Sequence, residues 1–138
     1  MLIYKNKMLP TRLIFYINQN NPYNRLEIYM KQKFFYEIES TSIDKFTLVF
    51  ILGVLTGLKS KTLSIDEANN LIFKPYYVKF FSEHKVSKHV TEIISKGCEL
   101  EDVLDLAPEK FDFNINELLD ETTLELAKLE KFEYSNIR

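Results

Sequence analysis

One cysteine, Cys98, is all the thiol chemistry in this chain, so no intrachain disulfide can form and a reducing compartment is the natural setting. Glycine is almost as scarce. Gly53, Gly57 and Gly97 are too few and too scattered for a phosphate-binding loop. The only histidines, His84 and His89, straddle an expected helix start and share no helical face, whereas zinc needs several His and Cys ligands at set spacings. They read as surface histidines. There is no Walker lysine, nucleophile elbow or HExxH motif. A nucleophilic Cys98 would need a base, and His89, the nearest histidine in sequence, is nine residues back. The expectation is a non-enzymatic protein with no catalytic, metal or cofactor-binding residue, in which Cys98 is structural.

Long apolar runs are also missing. The longest uncharged one, Phe46 to Leu58, has 13 residues, short of the roughly 20 that a membrane-spanning helix needs. Leu13 to Ile17, after Lys5, Lys7 and Arg12, is too short for a signal peptide. A net charge of -2 exerts no global pull toward nucleic acid or anionic membrane. A cytoplasmic protein with no nucleic-acid or membrane partner is expected. The chain is 46% hydrophobic and 28% charged, a balance that supports a core and opposes disorder.

Local patterns divide the chain. From Arg25 to Glu39 the even positions Leu26, Ile28, Met30, Phe34, Tyr36 and Ile38 are apolar, which fits a half-buried strand or two strands joined near Lys31–Lys33. Arg12–Ile17 is a weaker strand candidate, followed by turn chemistry from Asn18 to Asn24. From Thr41 the period becomes helical. Thr41 or Ser42 caps a helix from Ile43 to about Lys59, apolar on every side in its middle and expected to be the most buried. Gly53 and Gly57 on it imply close approach of another element, since each glycine costs a helix about 1 kcal/mol relative to alanine.

Ser64-Ile65-Asp66-Glu67 is a capping box opening a helix that buries Ile65, Ala68, Leu71 and Ile72. Pro75 opens a short helix carrying Tyr76, Tyr77, Phe80 and Phe81. Ser87 caps the next, with Val90, Ile93 and Ile94 inside and Gly97 ending it in the left-handed position. Leu100, Val103 and Leu104 form a stripe that ends before Pro108. Asn114 with Glu117 caps a last helix striped by Ile115, Leu118, Leu119, Thr122, Leu126 and Leu129.

The expected fold is α+β, mostly α: a compact bundle of five or six short helices with a small N-terminal antiparallel β element. Its 138 residues read as a single domain, 1–138. Within it, 1–29 is a candidate N-terminal extension, 30–40 a strand and 41–132 the helical bundle.

Charge is uneven. Residues 97–138 hold 4 Lys+Arg against 12 Asp+Glu, a net of -8, while residues 1–40 and 41–96 each carry +3. Within the acidic third, Glu99, Glu101, Asp102 and Asp105 surround the stripe of one short helix. Glu101, Asp102 and Asp105 share a polar face by their i,i+3 and i,i+4 spacing. Nothing nearby splits their pKa values as acid catalysis requires, and they lack the alternating ligands and central glycine of a calcium loop. A solvated face is the plain reading, and a surface for a basic protein partner is the functional one.

Two segments together resemble a known family. They are Lys45–Phe81, with Ser64-Ile65-Asp66-Glu67-Ala68 and Phe73-Lys74-Pro75-Tyr76, and the run Gly97-Cys98-Glu99-Leu100-Glu101-Asp102-Val103 with its sequel to Ile115. This order resembles the bacterial family known as domain of unknown function 3969, over about Phe34 to Phe132. Residues before Met30 lie outside the pattern, which makes Met8 and Met30 alternative starts. The family brings no established activity. Small size without a catalytic motif is similar to the immunity proteins that neutralise secreted toxins, a likeness of type. The leading expectation is thus an immunity-type inhibitor covering a basic toxin domain with Glu99, Glu101, Asp102 and Asp105. The alternative is a regulatory or structural interaction protein, in one form a homodimer, using Tyr76, Tyr77, Phe80 and Phe81.

Overall fold

The computed structural model describes residues 11–17, 26–132 and 137. The expected turn from Asn18 to Asn24, and residues 1–10, lie outside the described residues. The chain forms two compact units, Met1–Tyr36 and Glu37–Arg138.

In the first unit β1 (Thr11–Ile17) pairs antiparallel with β2 (Leu26–Gln32). The register sets apolar positions opposite one another: Leu13 with Met30, Phe15 with Ile28, and Ile17 with Leu26. Among the described residues the ladder runs to Thr11 opposite Gln32. The alternation therefore outruns the strand: residues 33–37 carry no regular structure, and Ile38, in the second unit, makes one antiparallel bridge with Ile137.

The second unit is a helical bundle. Its elements are α1 (Ile43–Lys59), α2 (Ile65–Leu71), α3 (Pro75–Glu83), α4 (Lys88–Cys98), α5 (Leu100–Leu106), a 3-10 turn (Pro108–Lys110) and α6 (Phe111–Ala127). The core is built from Leu48, Ile51, Val54, Leu55 and Leu58 of α1, Ala68, Ile72, Phe73, Val86, Val90, Ile93, Ile94 and Leu100, and Ile115 and Leu118 of α6. Thr47 and Thr122 are buried among these apolar groups. Each hydroxyl donates to the carbonyl one turn back, Ile43 O at 2.8 Å and Leu118 O at 2.7 Å, so neither leaves a polar atom unmet. Asp44 Oδ1 accepts the Ser87 backbone N–H at 2.8 Å, tying the first turn of α1 to the start of α4. Among the described residues no helix is long and apolar enough to cross a membrane.

Several local expectations need correction. α1 is not buried all round. Its buried residues lie on one face, and Val49 and Phe50 are 49% and 41% exposed. Gly57 does have a packing reason, because an added Cβ would stand 2.5 Å from Leu63 Cδ1, but Gly53 faces open space. Leu71 is 42% exposed, and the buried side chain at this end of α2 is instead Phe73. Gly97 is not left-handed. It lies inside α4, buried, with the Phe73 ring where its Cβ would be.

The left-handed residues are Lys61 and Lys85, at φ 60° and 66°. Each stands one past the cap of its helix. Thr62 N–H bonds Gly57 O and Lys61 N–H bonds Leu58 O after α1, while Val86 N–H bonds Phe81 O and Lys85 N–H bonds Ser82 O after α3. Both helices thus end in Schellman motifs with lysine where glycine is usual. Asn114 does not cap α6. The turn opened by Pro108 starts the helix earlier, at Phe111, and the Asn114 amide donates to Lys110 O from inside it.

Candidate functional site

The backbone runs from α4 into α5 through Glu99, which is the last cap of one helix and the first of the other, both dihedrals helical. Leu100 is buried and Val103 and Leu104 half-buried, so α5 turns Glu101, Asp102 and Asp105 outward, and all three are exposed, as is Glu99.

The four acids are not equivalent. Glu101 Oε2 accepts from the amide of Asn69 at 3.0 Å, joining α5 to α2. Asn69 is 9% exposed and its Oδ1 has no partner, so this bond is all that satisfies the buried amide. Glu101 therefore holds the frame. Asp102 and Asp105 form no ion pair among the described residues and are free to act on a partner.

Sequence reasoning passed over the acids of α6. Glu117 and Asp120 are exposed and Glu121 half-buried, at i, i+3 and i+4, one face of the helix. That spacing was the available signal, hidden by the reading of Glu117 as a cap partner. The acids face a groove of about 620 Å³ between the α4–α5 corner and α6. Its apolar lining is Leu100, Val103, Leu118 and Leu124, and its carboxylates are Glu99, Glu117, Asp120 and Glu121. Of the four acids expected from sequence, only Glu99 lines it.

One cation already lies in this groove. Lys96 Nζ contacts both oxygens of Glu121, at 2.9 and 3.0 Å. The Glu121 hydrogen bond raises the lysine pKa above its ordinary value. Desolvation opposes the shift, while the charges of Glu121, Glu92 and Glu117 add to it.

The four aromatic residues of α3 do not make one surface. Tyr77 and Phe81 pack against the core, and the Tyr77 hydroxyl donates to Asn70 O at 2.8 Å. Tyr76, 66% exposed, and Phe80, 37% exposed, face outward. Their rings stack at 6.2 Å, and Phe80 continues onto the His84 ring at 4.2 Å.

Cys98 is half-buried, and burial pushes its thiol up, away from the thiolate a nucleophile needs. Among the described residues no three His, Cys, Asp or Glu side chains are grouped to hold a metal ion.

Residues 38–137, nearly the whole helical unit, match the model of a family described as "Protein of unknown function (DUF3969)". No curated protein and no solved structure matches the chain.

Proposed function

The chain belongs to the DUF3969 family, and from that premise we propose a non-enzymatic, cytoplasmic, protein-binding module of the immunity type, which covers a basic toxin surface with its acidic helical face. One observation carries this reading. Asp102 and Asp105 on α5 and Glu117 and Asp120 on α6 are exposed, while the apolar residues of the same helices, Leu100, Ile115 and Leu118, are buried. These acids are thus exposed groups that packing of the core does not consume. Opposite charge across an interface speeds encounter and rejects wrong partners, which suits an inhibitor that must act before its toxin does.

The test is survival. Cells expressing any toxin-like product encoded beside this chain's reading frame should grow when the chain is co-expressed. They should die when Asp102, Asp105, Glu117 and Asp120 are all lysine and circular dichroism shows the variant folded. Protection should scale with the amount of chain, as stoichiometric binding requires. Protection by trace amounts, or undiminished by the four reversals, refutes the proposal.

The outward ladder of Tyr76, Phe80 and His84 favours a second reading, a regulatory or structural interaction protein with α3 as its contact. Binding lost in Tyr76→Ala and Phe80→Ala, yet unaffected by the acidic reversals, would select it.

A further inference from the structure

The groove between the α4–α5 corner and α6 has two kinds of lining that a single ligand type satisfies together. Its apolar lining is Leu100, Val103, Leu118 and Leu124: Leu100 and Leu118 are nearly fully buried, so half-buried Val103 and exposed Leu124 supply the accessible apolar surface. Glu117 stands one helical turn from both Asp120 and Glu121, so like charges crowd one wall. Among the described residues Glu99, Glu117 and Asp120 form no ion pair, and only Glu121 is matched, by Lys96. Lys96 is the one basic side chain among the lining residues, against the four carboxylates Glu99, Glu117, Asp120 and Glu121, so the lining keeps an excess of negative charge. The Lys96 ammonium pairs with the Glu121 carboxylate. Lysine and arginine are the side chains that join an apolar stem to a cationic head.

We infer that this groove receives an amphipathic, lysine- or arginine-bearing segment of a protein partner. Its cationic heads sit among Glu117, Asp120 and Glu99, and its apolar residues lie against Leu124 and Val103. The inference rests on the protein-binding reading above and narrows it. The decisive acids are those of α6, not the α5 face.

The experiment uses the full chain and a synthetic probe, a helical peptide of roughly 15 leucine and lysine residues in a 3.6-residue period, followed by fluorescence anisotropy at two salt concentrations. The peptide should bind, and raising the salt should weaken it. Glu117→Gln with Asp120→Asn should weaken it about tenfold and flatten the salt dependence. Asp102→Asn with Asp105→Asn should change it by less than about twofold. Neutral substitutions keep the helix, and relief of repulsion should leave the Glu117→Gln, Asp120→Asn chain at least as stable as the parent. A peptide that does not bind overturns the inference, while the survival assay still judges the broader proposal separately. Binding lost in the α5 pair and kept in the α6 pair overturns the groove and leaves the acidic-face reading standing. Sedimentation should show a monomer. Salt-sensitive self-association abolished by the α6 pair overturns the choice of occupant, because a second copy would then fill the groove.

Discussion

The same substitution should have opposite signs at two glycines of this protein. At Gly53 a new Cβ meets nothing, and the residue is exposed on α1. Alanine there gains the helix propensity difference, about 1 kcal/mol. At Gly97, also inside a helix, the same methyl would fall within contact distance of three atoms of the Phe73 ring. That ring is 2% exposed and walled by core, so it has no flexible end to swing away. Overpacking of this kind costs about 1–3 kcal/mol, and a full collision belongs at the upper end. Subtracting the propensity gain leaves Gly97→Ala about 2 kcal/mol less stable. In a unit of this size that lowers the melting temperature by roughly 10 °C. Urea titration of both variants checks the sign and the size, and Phe73→Leu with Gly97→Ala should recover part of the loss. Gly97→Ala as stable as the parent would remove the inferred approach of Phe73 to the α4 backbone.

Lys61→Gly and Lys85→Gly should each raise stability by about 1 kcal/mol in thermal melts, because a β-carbon in the left-handed region is strained and glycine is not. For the same reason Lys61→Leu keeps the strain, and its exposed position does not make Lys61 a relaxed site. Glu101→Lys should cost about 1–3 kcal/mol by orphaning the Asn69 amide, whereas Asp102→Lys and Asp105→Lys should each stay within about 0.5 kcal/mol; urea midpoints decide between them. Cys98 should alkylate more slowly than a free thiol at neutral pH, its rate rising only above the usual thiol range. A fast reaction there would contradict its burial.

Some features written locally in the chain were legible, although Ser87 starts α4 without a side-chain capping bond, and those that depend on distant partners were not. The Ser64–Glu67 box forms as its residue types dictate, Ser64 N–H to Glu67 Oε2 at 2.7 Å and Glu67 N–H to Ser64 Oγ at 3.1 Å. Pro75 opens α3 in the same local way. A glycine near a helix end, by contrast, fits either a left-handed cap or a close approach. Phe73, from another segment, decides between them for Gly97. Lys61 and Lys85 gave no warning of positive φ, since tertiary packing and the Schellman bonds hold them there against their own preference. Asn114-x-x-Glu117 has the spacing of a cap but works equally well inside a helix once Pro108 has begun the turn. The acidic face of α5 was visible because its apolar stripe was visible. The groove was not, because it needs α4, α5 and α6 brought together. Tyr76, Tyr77, Phe80 and Phe81 were grouped by composition, but the helical period splits them into an inner and an outer pair.

The residues that carry the family resemblance are mostly frame. Ser64 and Glu67 close a helix start, Ala68 is fully buried, Phe73 fills the space that Gly97 leaves, Leu100 enters the core, and Glu101 satisfies Asn69. Together these contacts fasten α2, α4 and α5 to one another. Ala68, Phe73 and Leu100 are buried, and Ser64, Glu67 and Glu101, though exposed, are already engaged in these bonds. The groove acids Glu117 and Asp120 also lie within the matched residues 38–137, on the exposed face of a helix whose buried residues are Ile115, Leu118 and Thr122. Like charges at Glu117 and Asp120 cost the helix a little stability, while Glu121 beside them is paired with Lys96 of α4. These frame residues thus account for how the helices are held, and the partner chemistry proposed above falls to exposed acids such as Asp102, Glu117 and Asp120.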